Sequence, residues 1–400
     1  MYLTFELLYG MLINRTVVER SDMYIPRYLD LKKTLKSKSV FLFGPRQTGK
    51  TWLIGKELEK YRVYDLLDNE VYLTLARSPK RLEQELMKGE KIVVIDEIQK
   101  LPLLLDEVHR IIEKYGVHFL LTGSSARKLR RAGINLLGGR ARSKHLHPFI
   151  YYELKEHFDL LKALNRGTVP SIYFSDSPEE DLKAYTGNYL KEEIAAEGLT
   201  RNVPAFSRFL EVAALCNGKM INYSNIANDA QVPCSTTQEY FHILRDTLIG
   251  FDVPAWRGSV KRKPLSTSKF YFFDVGIVRC LQNRSVLKER SPEFGDAFET
   301  YIAHELKSYV DYKNLKTLYY WRSKSGYEVD FVIDDLIAVE VKAKANISSA
   351  DLRGINALKE EKKIKHYIVV SLEQRPRREK GIEILPWQNF LESLWGDEYK

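Results

Sequence analysis

The sequence predicts an α/β protein in which a parallel-sheet domain is followed by a helical segment and then by a second α/β domain. Three observations carry this. Short apolar runs alternate with amphipathic stretches in the first third of the chain, the pattern of a parallel sheet covered by helices. A glycine-rich loop, Gly44-Pro-Arg-Gln-Thr-Gly-Lys50-Thr51, joins the first apolar run to the first helix. From Asp181 to Asp246 the pattern turns helical, and beyond Trp256 aromatic and β-branched runs return.

In chain order, Val40–Phe43 reads as a strand, Gly49 to Lys60 as a helix, Lys91–Ile95 and His118–Thr122 as strands, and Leu103–Tyr115 as the amphipathic helix between them. Further on, Ser224 and Ser235 stand at N-cap positions before Asn225–Ala230 and Thr236–Leu244. These two short helices around Gln231-Val-Pro233 resemble a helix-turn-helix. Trp256–Pro264, with Arg257, Lys261, Arg262 and Lys263 among Gly, Ser and Pro, reads as an exposed basic loop or wing and as a domain boundary. The runs Lys269–Phe273, Leu318–Trp321, Glu328–Ile333, Leu336–Lys342 and His366–Ser371 read as strands, with Phe294–Tyr309 and Ser348–Glu360 as helices. The expected division is an N-terminal arm over residues 1–36, a P-loop domain over 37–150, a helical connector over 151–262 and a C-terminal α/β domain over 263–400.

A chain of 400 residues exceeds one domain of about 100–200 residues. With 44% hydrophobic and 29% charged residues it suits packed domains rather than disorder. The formal charge of +9 favours an anionic partner, with nucleic acid the commonest and solubility the plainer alternative. Cys216, Cys234 and Cys280 are odd in number and too widely spaced for a zinc set, so buried reduced thiols in a cytoplasmic protein are expected. The apolar start, Tyr2–Ile13, contains Glu6, lacks a basic lead and a small-residue cleavage site, and is too short to span a bilayer. It reads as a packing arm or surface helix, with no membrane contact.

The glycine loop sets the chemistry. A triphosphate carries several negative charges, and consecutive N–H groups at a helix N-terminus can approach it where Gly44 and Gly49 leave room, with Pro45, Arg46, Gln47 and Thr48 completing the cradle. Lys50 would set its ammonium beside the β and γ phosphates, and the Thr51 hydroxyl would ligate Mg2+. Asp96, at the end of a buried apolar run, would hold Mg2+ through water, and Glu97 beside it would polarise the attacking water. Thr122-Gly-Ser124-Ser125 ends the next strand, where Ser124 reads either as a sensor of the γ phosphate or as an ordinary turn residue. Arg140 and Arg142 read either as a basic surface turn or as a source of an arginine finger; a finger acting in trans implies a homo-oligomer.

Taken with Ile95–Gln99, Leu121–Ser125, Gly139-Arg140, His147–Phe149, Phe270–Gly276, Trp321–Ser323 and Glu328–Val332, the loop resembles that of the bacterial and archaeal ATPases that join an AAA-like domain to a C-terminal domain of unknown function. The resemblance covers nearly the whole chain. It implies an ATPase using ATP and Mg2+, a winged-helix segment, and a terminal domain similar to restriction-endonuclease-like folds.

In that last domain Asp330 followed by Glu340-Val-Lys342 resembles the PD-(D/E)xK nuclease core, with Val329 where the strict motif has proline. A hairpin turning at Asp334-Asp335 would set Asp330 nearly opposite Glu340, and a period of two would put Glu340 and Lys342 on one face. Asp330 and Glu340 would then bind a metal, Lys342 would position the nucleophile, and Glu299 resembles the extra acid of RecB-like members. The expectation is an ATPase whose nucleotide state gates contact with DNA, coupled to cleavage. Its rival is an ATP-dependent switch acting on a protein through an inactive endonuclease-like domain.

Overall fold

The computed structural model describes residues 24–125, 137–190, 202–289 and 291–399, so Tyr2–Ile13 lies outside the described residues. The first domain is a five-stranded sheet in the order β2-β3-β4-β1-β5, all parallel: β1 Ser39–Phe43, β2 Arg62–Asp65, β3 Ile92–Asp96, β4 His118–Gly123 and β5 Ala141–His145. Alternate residues of β1, β3 and β4 feed two different cores. Phe41, Phe43, Val93, Ile95, Phe119 and Leu121 join one cluster. Val40, Leu42, Ile92, Val94 and Leu120 join the other. A strand buried on both faces has no polar side, so these segments read as continuous apolar runs. The edge strands β2, Arg-Val-Tyr-Asp, and β5, Ala-Arg-Ser-Lys-His, are half-exposed and polar, which hid them in the sequence.

The second part holds helices Val203–Leu215, Tyr223–Ala230 and Cys234–Asp246, followed by β6 Gly250–Val253 and its antiparallel partner β7 Lys269–Phe272. Phe209, Phe241 and Phe270 pack edge-to-face at their centre. The helices start earlier than expected. Asn222, not Ser224, caps the first by accepting from Asn225 N–H, and Pro233 rather than Ser235 precedes the second. Asn is as good a cap as Ser, and a proline just before a helix holds an extended entry, so either signal outruns the serines. Cys234 is exposed at this helix start, contrary to the expectation of three buried thiols, while Cys216 and Cys280 are half-buried and all three are free.

The long β6–β7 connection is not a free wing. Ala255 bridges Tyr320, Pro264 bridges Ser323, and Trp256 is buried with Trp321. The Glu361 carboxylate accepts N–H bonds from Val260, Lys261 and Arg262 at 2.8–3.1 Å and an O–H bond from Ser259 at 2.7 Å. Consecutive N–H groups closing on one anion form a nest, and this one fixes the loop's backbone to the C-terminal sheet while Arg257, Lys261 and Lys263 stay exposed. Meanwhile Phe270 and Phe272 of β7, with Ile277 and Val278 of the helix Val275–Leu281, share the apolar core of the preceding helices.

The last part is a six-stranded mixed sheet, β12-β13-β11-β10-β9-β8, with β8 Leu318–Arg322, β9 Glu328–Ile333, β10 Ile337–Lys342, β11 His366–Ser371, β12 Arg377–Glu379 and β13 Ile382–Pro386. The 20-residue helix Phe294–Lys313 packs on it and buries Phe298, Tyr301, Ile302 and Leu306. Among the described residues no helix is long and apolar enough to cross a membrane.

Glu305 of that helix is fully buried, accepting bonds from Tyr301 Oη and Tyr151 N–H at 2.6 Å and from Trp395 Nε1 at 2.8 Å. Burial outweighs those bonds and pushes its carboxyl up to about 7. A folded pKa raised above the unfolded one means a penalty absent while both states are protonated, growing between pH 4.5 and about 7 and complete above that. The expected size is about 3 kcal/mol. Thermal unfolding of wild type should therefore weaken from pH 5.5 to 8, and Glu305→Gln should flatten that loss; an unchanged slope in the variant would refute it.

Candidate functional site

The loop between β1 and its following helix, Lys50–Glu57, lies at the carboxyl end of the sheet, where β1 sits between β4 and β5. In parallel α/β sheets this end is where ligands bind. Gly49 has φ +90°, which only glycine adopts without strain, and it places the helix N-terminus directly after the loop. A Cβ on Gly44 would come within 2.4 Å of the Leu146 carbonyl oxygen, so the first glycine answers a close backbone approach from β5's continuation. Thr48 Oγ1 donates to Pro45 O at 2.8 Å and closes the loop upon itself.

The chain brings the expected residues together. Lys50 is buried, its Nζ donating to Gly44 O at 2.6 Å and Pro45 O at 3.0 Å. Thr51 Oγ1 donates to Asp96 Oδ2 at 2.8 Å, joining the hydroxyl and the carboxylate that Mg2+ chemistry requires on one spot. Thr122 Oγ1 donates to the other Asp96 oxygen and accepts from Glu97 N–H at 3.0 Å. Glu97 itself has φ +61°, a left-handed backbone that a non-glycine residue holds at a cost of order 1–3 kcal/mol. That turn, together with a bond from Gln99 Nε2 to Glu97 Oε2, aims the carboxylate across the end of β3. Gln99 Nε2 also lies 3.5 Å from Ser124 Oγ, while Ser125 Oγ donates to Asp246 O at 2.9 Å.

Arg140 is not brought to this loop within the chain. Ala141 pairs with Ser39, so Arg140 sits beyond the opposite end of β1, roughly 15 Å away at strand spacing. It forms an ion pair with Glu113, and Arg142 donates to Ser37 Oγ at 3.3 Å.

Residues that the sequence reading passed over complete the site. Arg27, buried, donates to Thr48 O at 2.6 Å and His147 O at 2.5 Å and pairs with buried Glu153 at 3.1 Å. It ties the phosphate loop to the start of the helical segment. Gln47 Oε1 accepts from Ser171 Oγ at 2.8 Å, and Arg46 O from Tyr185 Oη at 3.5 Å. Long-range hydrogen bonds of this kind leave no local pattern: Arg46, Gln47 and Gln99 stand in recognisable motifs, but their partners Ser171 and Tyr185, like Arg27, do not.

In the C-terminal sheet the antiparallel register Val339 to Phe331, carried one residue on, sets Glu340 opposite Asp330, and Val341 N–H donates to Asp330 Oδ2 at 2.8 Å. Glu299, Asp330, Glu328 and Lys269 line a cleft of about 430 Å³. Burial, and then the Asp330 charge, push Glu299 up to about 7 and Glu340 above the usual carboxylate range. The cations are already placed: Lys342 pairs with Glu340, and Lys269 Nζ lies 2.7 Å from Glu328 and 4.0 Å from Glu299. Among the described residues no three His, Cys, Asp or Glu side chains converge as a metal would need.

Residues 36–155 match the family model described as "AAA domain", residues 157–288 "Domain of unknown function (DUF8612)" and residues 294–390 "Domain of unknown function (DUF4143)". The chain is 25% identical over 307 residues to "Uncharacterized protein Rv2008c" of Mycobacterium tuberculosis, covering 74% of this chain and 67% of that one, and equally to "Uncharacterized protein Mb2031c" of Mycobacterium bovis. Among solved structures it is similar to the Aeropyrum pernix ORC1 protein in complex with DNA, at 15% identity and TM-score 0.27 over 66% of this chain and 96% of that one. A STAND protein, PH0952 of Pyrococcus horikoshii, gives 16% and 0.23 over 72% and 46%. At those scores the likeness bears on neither fold nor function. The family match and the geometry of Lys50, Thr51 and Asp96 agree that residues 36–155 are an AAA-like, nucleotide-binding ATPase domain.

Proposed function

We propose that this protein is a Mg2+-dependent ATPase whose nucleotide state gates contact with DNA. The observation that carries the reading is the set of side-chain bonds from the nucleotide site to the helical segment: Gln47 to Ser171, Arg46 to Tyr185, and Ser125 to Asp246 at the end of the helix Cys234–Asp246. Bound ATP with Mg2+ supplies the hydrolysable phosphoanhydride. Gly44 to Thr51 would hold the phosphates, Thr51 and Asp96 the ion, and Glu97 would take a proton from the attacking water. The atoms that move when the γ phosphate leaves are then bonded to the segment that meets DNA.

The order helix, bridge at Met220, two helices and the β6–β7 hairpin supports a winged-helix reading of that segment. The helix Cys234–Asp246 exposes Gln238, Glu239 and His242 and is not itself basic, so the phosphate attraction must come from elsewhere on a chain of formal charge +9. In the C-terminal cleft Lys342 pairs with Glu340 and Lys269 with Glu328, contacts that support a binding role rather than cleavage. A finger role for Arg140 would be served only across subunits, in a cytoplasmic homo-oligomer.

The test is ATP turnover with and without duplex and single-stranded DNA at rising salt. Stimulation that fades with salt is expected. Turnover indifferent to every DNA form would move the assignment to a switch acting on a protein.

A further inference from the structure

Among the described residues several buried or half-buried cations outside the phosphate loop sit against carboxylates: Arg27 on Glu153, Lys269 on Glu328, Arg262 on Glu360. One region departs from this. Between helix Leu160–Arg166, helix Pro178–Ala184 and residues 279–289 lies a cleft of about 920 Å³ lined by Lys162, Arg166, Lys183, Arg279 and Arg284, against three carboxylates, Asp159, Glu179 and Glu289.

How these cations are held matters more than their number. Arg166 Nη1 donates to Ser175 O at 3.1 Å, and Arg279 Nη2 to Ser285 O at 2.5 Å. Lys162 Nζ rests 4.3 Å from the Tyr173 ring centroid and 5.1 Å from that of Phe174. A carbonyl or an aromatic face fixes a cation's position without cancelling its charge. Asp159 accepts from Lys162 N–H as the helix N-cap, so that acid is committed to the backbone. Burial, with Arg166 beside Lys162 and Arg284 beside Arg279, disfavours the charged form of both Lys162 and Arg279. Arg284 lies 3.6 Å from Glu293, whereas Lys162, Arg166 and Arg279 are held by neutral partners, like charges that an anion would relieve.

We propose that this cleft is a phosphate-binding site separate from the P-loop, and that it takes the phosphate groups of a nucleic-acid strand. The inference rests on the DNA half of the proposed function and places its backbone contacts. The helix Pro178–Ala184 runs on into Tyr185, which reaches Arg46 of the nucleotide loop, so a strand in the cleft lies one helix from the ATP site.

The test uses the full chain and the fluorescence anisotropy of a labelled oligothymidylate over a salt series. The triple variant Lys162→Gln, Lys183→Gln, Arg284→Gln should bind at least ~10-fold more weakly, and its salt slope should fall by roughly two, the counterions of three lost phosphate contacts. Arg257→Gln, Lys261→Gln, Lys263→Gln in the β6–β7 loop should stay near wild type. Lys183→Glu, a single change on an exposed helix face, should weaken binding in the same direction should the triple variant lose its fold. If the loop variant loses binding and the cleft variants do not, the inference is overturned and the DNA reading stands. If wild type binds no strand, both fall. Inorganic tripolyphosphate added to Lys50→Ala should compete the strand away from the cleft; tripolyphosphate binding that leaves the strand undisturbed would also overturn it.

Discussion

Lys50→Ala should lower Mg2+-dependent ATP turnover by at least ~100-fold, the scale seen when one preorganised donor to a developing charge is removed. In the structure its ammonium is folded back onto the Gly44 and Pro45 carbonyls inside the loop, already desolvated and already where the phosphates would lie. ATP would exchange those two carbonyls for phosphate oxygens, a stronger charge-assisted bond with little reorganisation. The same contacts predict a modest structural cost, because two loop carbonyls lose a donor but sit beside solvent-reaching Arg46 and Gln47. Phosphate release with a thermal-melting control separates the two effects. Turnover within a few-fold of wild type would remove Lys50 from the machinery.

How the site forms was legible where the local sequence does the work. The loop glycines, Lys50, Thr51 and the carboxylate after Ile92–Ile95 are fixed by chain neighbours, and the structure brings them to one place. The β9–β10 hairpin was equally readable, since its turn and the period of two determine that Asp330 faces Glu340. The residues missed owe their place to long-range packing: Arg27 meets Thr48 and His147, and Lys269 meets Glu328 from another strand pair. Lys269 matters most, because its ammonium enters an acidic cleft that the motif alone presents as ready for metal. The anchoring of the basic β6–β7 loop was hidden for a related reason. A Gly-Ser-Pro basic stretch carries every mark of a solvated loop, and nothing within it announces that Glu361 will gather its N–H groups.

Glu97→Gln should lower turnover by about 100-fold or more while nucleotide affinity holds, the pattern of a residue that acts on the water rather than on the phosphates. The amide is isosteric and can keep the left-handed turn at φ +61°, so Asp96, Thr122 and Thr51 stay as they are. What it cannot do is accept a proton. Gln99 gives the contrast. Its Nε2 bonds the Glu97 carboxylate and lies within reach of Ser124, whereas its Oε1 is buried without a partner and would meet any Cβ placed on Gly123. Gln99→Ala should therefore alter turnover less than Glu97→Gln, by releasing a carboxylate that it orients. Single-turnover rates and binding of a fluorescent nucleotide, measured on both variants, decide the matter. Weakened nucleotide binding in Glu97→Gln would place the carboxylate among the ligand-holding groups, and equal losses in the two variants would make orientation, not proton acceptance, the larger share of what Glu97 contributes.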